Sequence, residues 1–334
     1  MKQTECTGTH RPQRVAVIGN GMVGHHFVEQ WLASDAAEQG ELMIFGAERY
    51  PAYDRVHLSE YFVSGSVDSL LLGQPELYRH PAVSLKLGES VLSIDAQCRT
   101  LHTQGGEYRY DKLVLATGAI PFVPPIPGGV QPHCLVYRTL DDLDAIRASA
   151  EGARVGVVIG GGLLGLEAAH ALKRLGLDVH VVEFASRLMP VQLDDEAGAL
   201  LRHKIETLGV AVHTDKATQQ IIQGDSARMK MCFADDTELE TDLIVYSAGI
   251  RPQDMLGREA GLRLGERGGI DVDQHCRSSD PDIYAIGECA VWNGRHFGLV
   301  APGYAMARAA LSHLLGDGKV SFQGADMSTK LTLL

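Results

Sequence analysis

The chain has 334 residues, a formal net charge of −12, and 45% apolar against 22% charged residues. That length holds two or three domains with a substantial core, and that balance excludes a disordered chain. The negative charge opposes nonspecific binding to nucleic acid, and no apolar run nears the roughly 20 residues that would span a bilayer.

Residues 1–13 are polar with no apolar core, so they read as a flexible tail and not as a secretory signal. The first predicted element is the strand Arg14-Val-Ala-Val-Ile18, which runs into Gly19-Asn-Gly21-Met-Val-Gly24. A helix follows, with Val23, Phe27, Trp31 and Leu32 on one face, then the apolar run Leu42-Met-Ile-Phe45 and Glu48 just beyond it. This is G-x-G-x-x-G in its full context of strand, tight turn, helix, second strand and acid. The first glycine permits the turn, the second lets backbone approach a pyrophosphate, and the third lets helix pack on strand. The helix N-terminus supplies N–H groups and a positive dipole end to the phosphates. His25 and His26 just inside that helix read as helix-face residues, because the backbone donors already serve a phosphate there.

The strand Lys112-Leu-Val-Leu-Ala-Thr117-Gly118 comes next, and then the proline-rich Pro121-Phe-Val-Pro-Pro-Ile-Pro127, a crossover between elements. A second complete unit starts at Arg154: Val155-Gly-Val-Val-Ile159, Gly160-Gly-Gly162-Leu-Leu-Gly165, and Val179-His-Val-Val182 closed by Glu183. Two units imply two dinucleotides. The strand Asp242-Leu-Ile-Val-Tyr-Ser-Ala-Gly249 leads to another break, and Asp282-Ile-Tyr-Ala-Ile-Gly287-Glu288 is a late strand ending in glycine and acid. Alternating strands and helices predict an α/β protein with two Rossmann-like domains, the second inserted in the first. The boundaries expected are 14–120 with 243–320 for the first domain, 121–242 for the second, and 321–334 for the start of a C-terminal region. The apolar end Lys330-Leu-Thr-Leu-Leu334 has no polar tail, so the chain is expected to be a fragment of a longer protein.

Cys6, Cys98, Cys134, Cys232, Cys276 and Cys289 are scattered, with no C-x-x-C. That pattern fits a reducing cytoplasm and argues against a disulfide framework, a zinc site or an iron–sulfur site within these residues. Cys289 beside Glu288 reads as a buried structural thiol.

These motifs together resemble the two-dinucleotide flavoprotein reductases, the glutathione-reductase-like family that uses FAD and NAD(P)H. Within it, Ala52-Tyr-Asp-Arg-Val-His-Leu-Ser-Glu-Tyr-Phe62, Val136-Tyr-Arg-Thr139, Gly298-Leu-Val-Ala-Pro-Gly-Tyr304 and Gly324-Ala-Asp-Met-Ser-Thr-Lys-Leu331 resemble the reductase portion of sirohaem-containing nitrite reductases. The resemblance implies that Gly19, Gly21 and Gly24 hold the FAD pyrophosphate and Glu48 its adenosine ribose. Arg55, Thr117, Gly118, Gly287 and Glu288 complete the FAD contacts, glutamate standing at 288 where the family has aspartate. Gly160, Gly162, Gly165, Glu183 and Gly249 would hold NADH, NADPH being disfavoured by the acid at 183. Glu167 and Glu60 are the candidate catalytic pair. Related reductases often carry lysine at the position of Glu60, so here either two acids meet or Glu60 turns to solvent.

The resemblance also implies electron transfer from NADH through flavin to an iron–sulfur and sirohaem centre in further domains or a partner subunit. A stand-alone ferredoxin or rubredoxin reductase, an oxygen-reducing NADH oxidase and a nucleotide-bound sensor module with negligible turnover remain as alternatives. The chain lacks the cysteine pair of a disulfide reductase and the single cysteine of the peroxidase type near Ser59, which disfavours those mechanisms.

Overall fold

A computed structural model describes residues 13–73 and 75–328. Of the tail expected at 1–13 only Gln13 is among them, opening a strand, and residues 329–334 of the expected C-terminal region also lie outside. In chain order the elements that build the two main sheets begin β1 (Gln13–Ile18), α1 (Met22–Leu32), β2 (Gly40–Gly46), β3 (Val83–Leu87), β4 (Lys112–Leu115), β5 (Cys134–Val136) and α2 (Leu140–Ala150). They continue with β6 (Val155–Ile159), α3 (Leu163–Arg174), β7 (Asp178–Val182), α4 (Asp195–Thr207), β8 (Val210–His213), β9 (Leu243–Tyr246), β10 (Ile283–Ala285) and α5 (Val300–Leu314).

The described residues form two compact units, one of 13–53, 71–119 and 252–328, the other of 54–70 and 120–251. In the first, five parallel strands run in the order β10-β4-β1-β2-β3. The second repeats the plan with β8-β7-β6-β9-β5. Each sheet has its glycine-turn strand at the centre, β1 or β6, flanked by the strand that follows the helix and by the strand that ends in a small-residue turn. The duplication extends further. An antiparallel three-stranded sheet precedes β4 (Val91–Asp95, Thr100–Thr103, Gly106–Arg109), and another precedes β9 (Thr218–Gln223, Met229–Phe233, Glu238–Thr241).

Strands covered on both faces read as continuous apolar runs. Val15, Ala16, Val17, Leu42, Ile44, Leu113, Val114 and Leu115 are all buried, as are Val157, Val158, Val179, Val181 and Leu243 to Val245 in the second unit. Helix α1 buries Phe27, Val28 and Trp31 in the first core, with Val23 and Leu32 packed at its edge.

Two boundaries differ from the sequence expectation. The strand expected to return to the first domain, β9, instead pairs with β6 (Ile159 opposite Tyr246) and with β5 (Ile244 opposite Cys134). Pairing on both sides satisfies the backbone of a buried strand, so the second unit continues to Arg251. The segment 54–70 also belongs to the second unit. Tyr61 donates to Asp144 Oδ1 at 2.6 Å, the Arg147 guanidinium lies over the Tyr61 ring, and Phe62 stacks on Tyr137. Arg55 Nη1 donates to the Arg138 carbonyl at 3.2 Å. Contiguity along the chain suggested the first unit, but these side chains find their partners in the second.

Trp31 is 1% exposed. Its replacement by alanine leaves a large cavity beneath the first sheet and is expected to cost about 3–5 kcal/mol. The shift of the urea midpoint at unchanged m-value checks this.

Candidate functional site

The two glycine turns have the same geometry. Gly19 has φ +111° and Gly160 φ +118°, a region that favours glycine. Each N–H donates across to the neighbouring strand, Gly19 to the Phe45 carbonyl and Gly160 to the Val182 carbonyl, both at 2.8 Å. A Cβ on Gly19 would lie 2.2 Å from the Ala116 carbonyl oxygen, and one on Gly160 would lie 2.3 Å from that of Ser247. The third glycine closes the turn. A Cβ on Gly24 would lie 2.1 Å from the Gly19 oxygen, and one on Gly165 would lie 2.0 Å from the Gly160 oxygen. Gly162 faces open space, as a backbone that receives a ligand must.

Helix capping makes the same point electrostatically. Helices α1 and α3 start from Gly21 and Gly162 in extended conformation, with no side-chain cap and no acid in the first turn. By contrast α2 is capped by Thr139 with Asp141 and Asp142 behind it, and α4 by Asp194 with Asp195 and Glu196. Uncapped N-termini at α1 and α3 leave N–H donors and an unneutralised dipole for an anion, so the residues present fit a pyrophosphate in each unit.

In the first unit Tyr53, 2% exposed, donates to Glu48 Oε2 at 2.5 Å and fixes that carboxylate beyond β2. Thr117 Oγ1 donates to the Gln253 carbonyl at 2.6 Å, and Gly118 at φ +69° turns the chain after β4. Gly287 at φ +76° opens a short 3-10 turn that carries the half-buried Glu288. Cys289 is fully buried, its Sγ 3.3 Å from the Leu115 and Ile286 carbonyl oxygens, and burial pushes its thiol pKa up. That is a structural thiol.

His25 is buried, and burial lowers its pKa. Its Nδ1 lies 2.6 Å from Tyr78 Oη, which donates to Asn20 Oδ1 in the glycine turn at 3.0 Å. His26 stacks on Tyr304. His25 therefore braces the turn from the helix side, while His26 packs toward α5. Tyr53 and Tyr78 escaped the sequence reading because no motif marks a side chain that supports another residue.

In the second unit Glu183 is held at both oxygens. Oε2 accepts from the Gly161 N–H at 2.6 Å and Oε1 from the Ala185 N–H at 2.8 Å. Each oxygen keeps a lone pair for a ribose hydroxyl. Arg187, the nearest cation along the chain, donates to the Leu193 carbonyl and Asp195 Oδ1 at 2.9 and 2.8 Å. Its guanidinium is committed to the loop before α4. Gly249 at φ +107° lies beyond β9 with open space beside it. Arg55 lies in the second unit, donating to Arg138, and not in the unit that carries the other residues expected around FAD.

Glu60 and Glu167 also lie in the second unit, where the 3-10 turn Leu58–Glu60 packs on α3. Glu60 is exposed, and the charged group facing Glu167 is His57. His57 Nδ1 lies 2.7 Å from Asp54 Oδ2, and that hydrogen bond raises the imidazole pKa. Burial pushes Glu167 up to about 7, with His57 acting in the opposite direction.

Residues 13–313 match the pyridine nucleotide-disulphide oxidoreductase family. The chain is 56% identical over 321 residues to the NAD(P)H nitrite reductase large subunit of Klebsiella oxytoca, covering 96% of this chain and 33% of that protein. It is 51% identical to the NADH nitrite reductase large subunit of Escherichia coli K12, covering 96% and 38%. The chain thus spans about a third of the length of these curated relatives. Among solved structures it resembles a ferredoxin reductase from Rhodopseudomonas palustris, with a TM-score of 0.85 and 29% identity over 93% of this chain and 78% of that one.

The raised Glu167 pKa has a consequence for stability. The folded value of about 7 lies above the ordinary 4.5, so the carboxyl group's contribution is full below about 4.5 and is lost as pH rises through 7. Glu167→Gln cannot ionise. Its stability relative to the native chain is expected to improve between pH 5 and pH 8, and an unchanged difference in urea midpoint at the two pH values would contradict this.

Proposed function

The chain belongs to the pyridine nucleotide-disulphide oxidoreductase family, and on that premise we propose that it is the NADH-oxidising flavoprotein part of a nitrite reductase large subunit. The observation that carries this reading is the doubled phosphate turn, each copy completed by a carboxylate, in a chain with 56% identity to such a subunit. In this reading the first unit takes FAD and the second NADH. The bound flavin supplies the chemistry of accepting hydride from the nicotinamide and passing electrons onward.

The chain's own residues bind and orient. Gly21 and Gly162 admit the two pyrophosphates to the N-termini of α1 and α3. Tyr53 steadies Glu48 for the adenosine ribose of FAD, and the Gly161 and Ala185 amides steady Glu183 for that of NADH. A 2′-phosphate beside Glu183 would meet like charge, and Arg187 is tied elsewhere, which supports NADH over NADPH. Electrons would pass to an iron–sulfur and sirohaem centre in the further domains or subunit of the whole enzyme. The relatives that are three times as long support that partner. Among the described residues no helix is long and apolar enough to cross a membrane, and the free cysteines fit a cytoplasmic setting. The likeness to a ferredoxin reductase favours one second reading, a reductase of a separate small redox protein, at markedly lower identity.

Three measurements test this. The flavin-loaded chain, mixed anaerobically with NADH, is expected to bleach and to reduce ferricyanide, and to form no ammonia from nitrite. Six-electron reduction needs a metal centre that holds nitrogen through several steps, so ammonia from the isolated metal-free chain would sink the assignment. Gly21→Val should abolish FAD retention while ADP-ribose still binds the second unit, and loss of both would point to misfolding. Glu183→Ala should improve kcat/KM for NADPH relative to NADH by about tenfold, one favourable contact's worth. Equal use of both nucleotides by the native chain would refute the preference.

A further inference from the structure

One polar group in the first glycine turn is left over from the phosphate contacts. Asn20 stands between Gly19 and Gly21, half-buried, and its Nδ2 is buried with no hydrogen-bond partner. The amide is nevertheless held in one orientation. Tyr78, on the 3-10 turn Pro75–Arg79, donates to Asn20 Oδ1 at 3.0 Å, and His25 Nδ1 lies 2.6 Å from the same phenol oxygen. His25 is 3% exposed and is itself wedged, since a Cβ on Gly73 would lie 2.8 Å from its ring. These contacts commit the oxygen end of the amide to the protein and leave the nitrogen end over. A buried donor without an acceptor costs about 1–3 kcal/mol, so an amide fixed this way points to an acceptor that a ligand brings. The side chain also lies toward the ribose acid. A Cβ on Gly46, the last residue of β2, would lie 3.3 Å from Asn20 Cβ, and Glu48 follows two residues on.

We infer that Asn20 Nδ2 donates to the 3′-hydroxyl of the adenosine ribose of FAD, with Tyr78 and His25 as the positioning residues that aim it. The inference rests on the FAD reading of the first unit. A ribose hydroxyl gives one hydrogen bond and has lone pairs to accept others, whereas a carboxylate only accepts. Glu48 therefore takes the hydroxyl proton, and Asn20 supplies the donor that the hydroxyl oxygen still lacks. Chain connectivity selects the 3′ position. The turn that contains Asn20 receives the pyrophosphate, which is joined to the ribose at C5′, and C3′ is one bond nearer to that end than C2′. Shielding of Nδ2 from water strengthens the bond once it forms, because solvent does not compete for the donor.

The test is equilibrium binding of FAD, and of its adenosine 2′-deoxy and 3′-deoxy analogues, to the flavin-free chain, followed by flavin fluorescence. Asn20→Ala should weaken FAD and the 2′-deoxy analogue by about three- to tenfold, one hydrogen bond's worth, and leave the 3′-deoxy analogue within about twofold. Asn20→Asp keeps an acceptor for Tyr78 but has no donor, so it separates bracing from ligand contact. Its charge lowers affinity for all three flavins, and the preference for FAD over the 3′-deoxy analogue should fall by the same factor as in Asn20→Ala. Tyr78→Phe removes the bond that orients the amide and should reduce that preference while 3′-deoxy binding persists, which also shows that the site is folded. Adding it to Asn20→Ala should change the preference no further. Equal weakening of all three flavins by Asn20→Ala, or a loss confined to FAD and the 3′-deoxy analogue, overturns the inference and leaves the FAD reading intact. A native chain that binds none of the three overturns both.

Discussion

Contact between the third glycine of each turn and the backbone of the first is the constraint on which both nucleotide units depend. No Cβ fits at Gly24 or Gly165, because the carbonyl oxygens of Gly19 and Gly160 lie where it would be. That approach brings each helix onto its sheet at its N-terminal end. The helix dipole and unpaired amides are then presented at the carboxyl edge of the central strand, where open α/β sheets bind ligands. With the helix one methyl group further out, the turn would lose its shape and the anion its donors. The apolar strands behind the turn serve to hold that geometry still.

The same constraint is built twice, and the differences between the copies are informative. In the first unit the ribose acid is steadied by a buried tyrosine, and histidine and a second tyrosine brace the turn from beneath. In the second, two backbone amides steady the acid and a neighbouring arginine is drawn away. Polar support from side chains costs desolvation, and it is recovered only when every partner is satisfied. Amide support close to the turn requires no further buried polar side chain. The second unit nevertheless keeps one unpartnered phenol and one half-buried carboxylate near the start of α3. Buried groups of that kind are destabilising unless a ligand completes them.

Much of the fold could be read from residue order. The glycine spacing, the two strand-end acids and the continuous apolar runs place both central strands, both helices and the parallel sheets, because these features act over a few neighbouring residues. Tyr53, Tyr78, Asp54 and Tyr137 could not be found that way. Each reaches its partner only after folding, and no spacing along the chain assigns that contact.

The boundary at 251 and the membership of 54–70 belong to the same class. Whether β9 returns to the first sheet depends on hydrogen bonds to β5 and β6, which are distant in sequence. The surroundings of Glu167 depend on how the 3-10 turn Leu58–Glu60 packs on α3, which brings the charge of His57 to bear on that carboxylate. Local sequence therefore specified the phosphate turns, since backbone sterics at glycine are a local matter. The charge around Glu167 was decided by packing, since desolvation and Coulomb interactions depend on position in three dimensions and not on order along the chain.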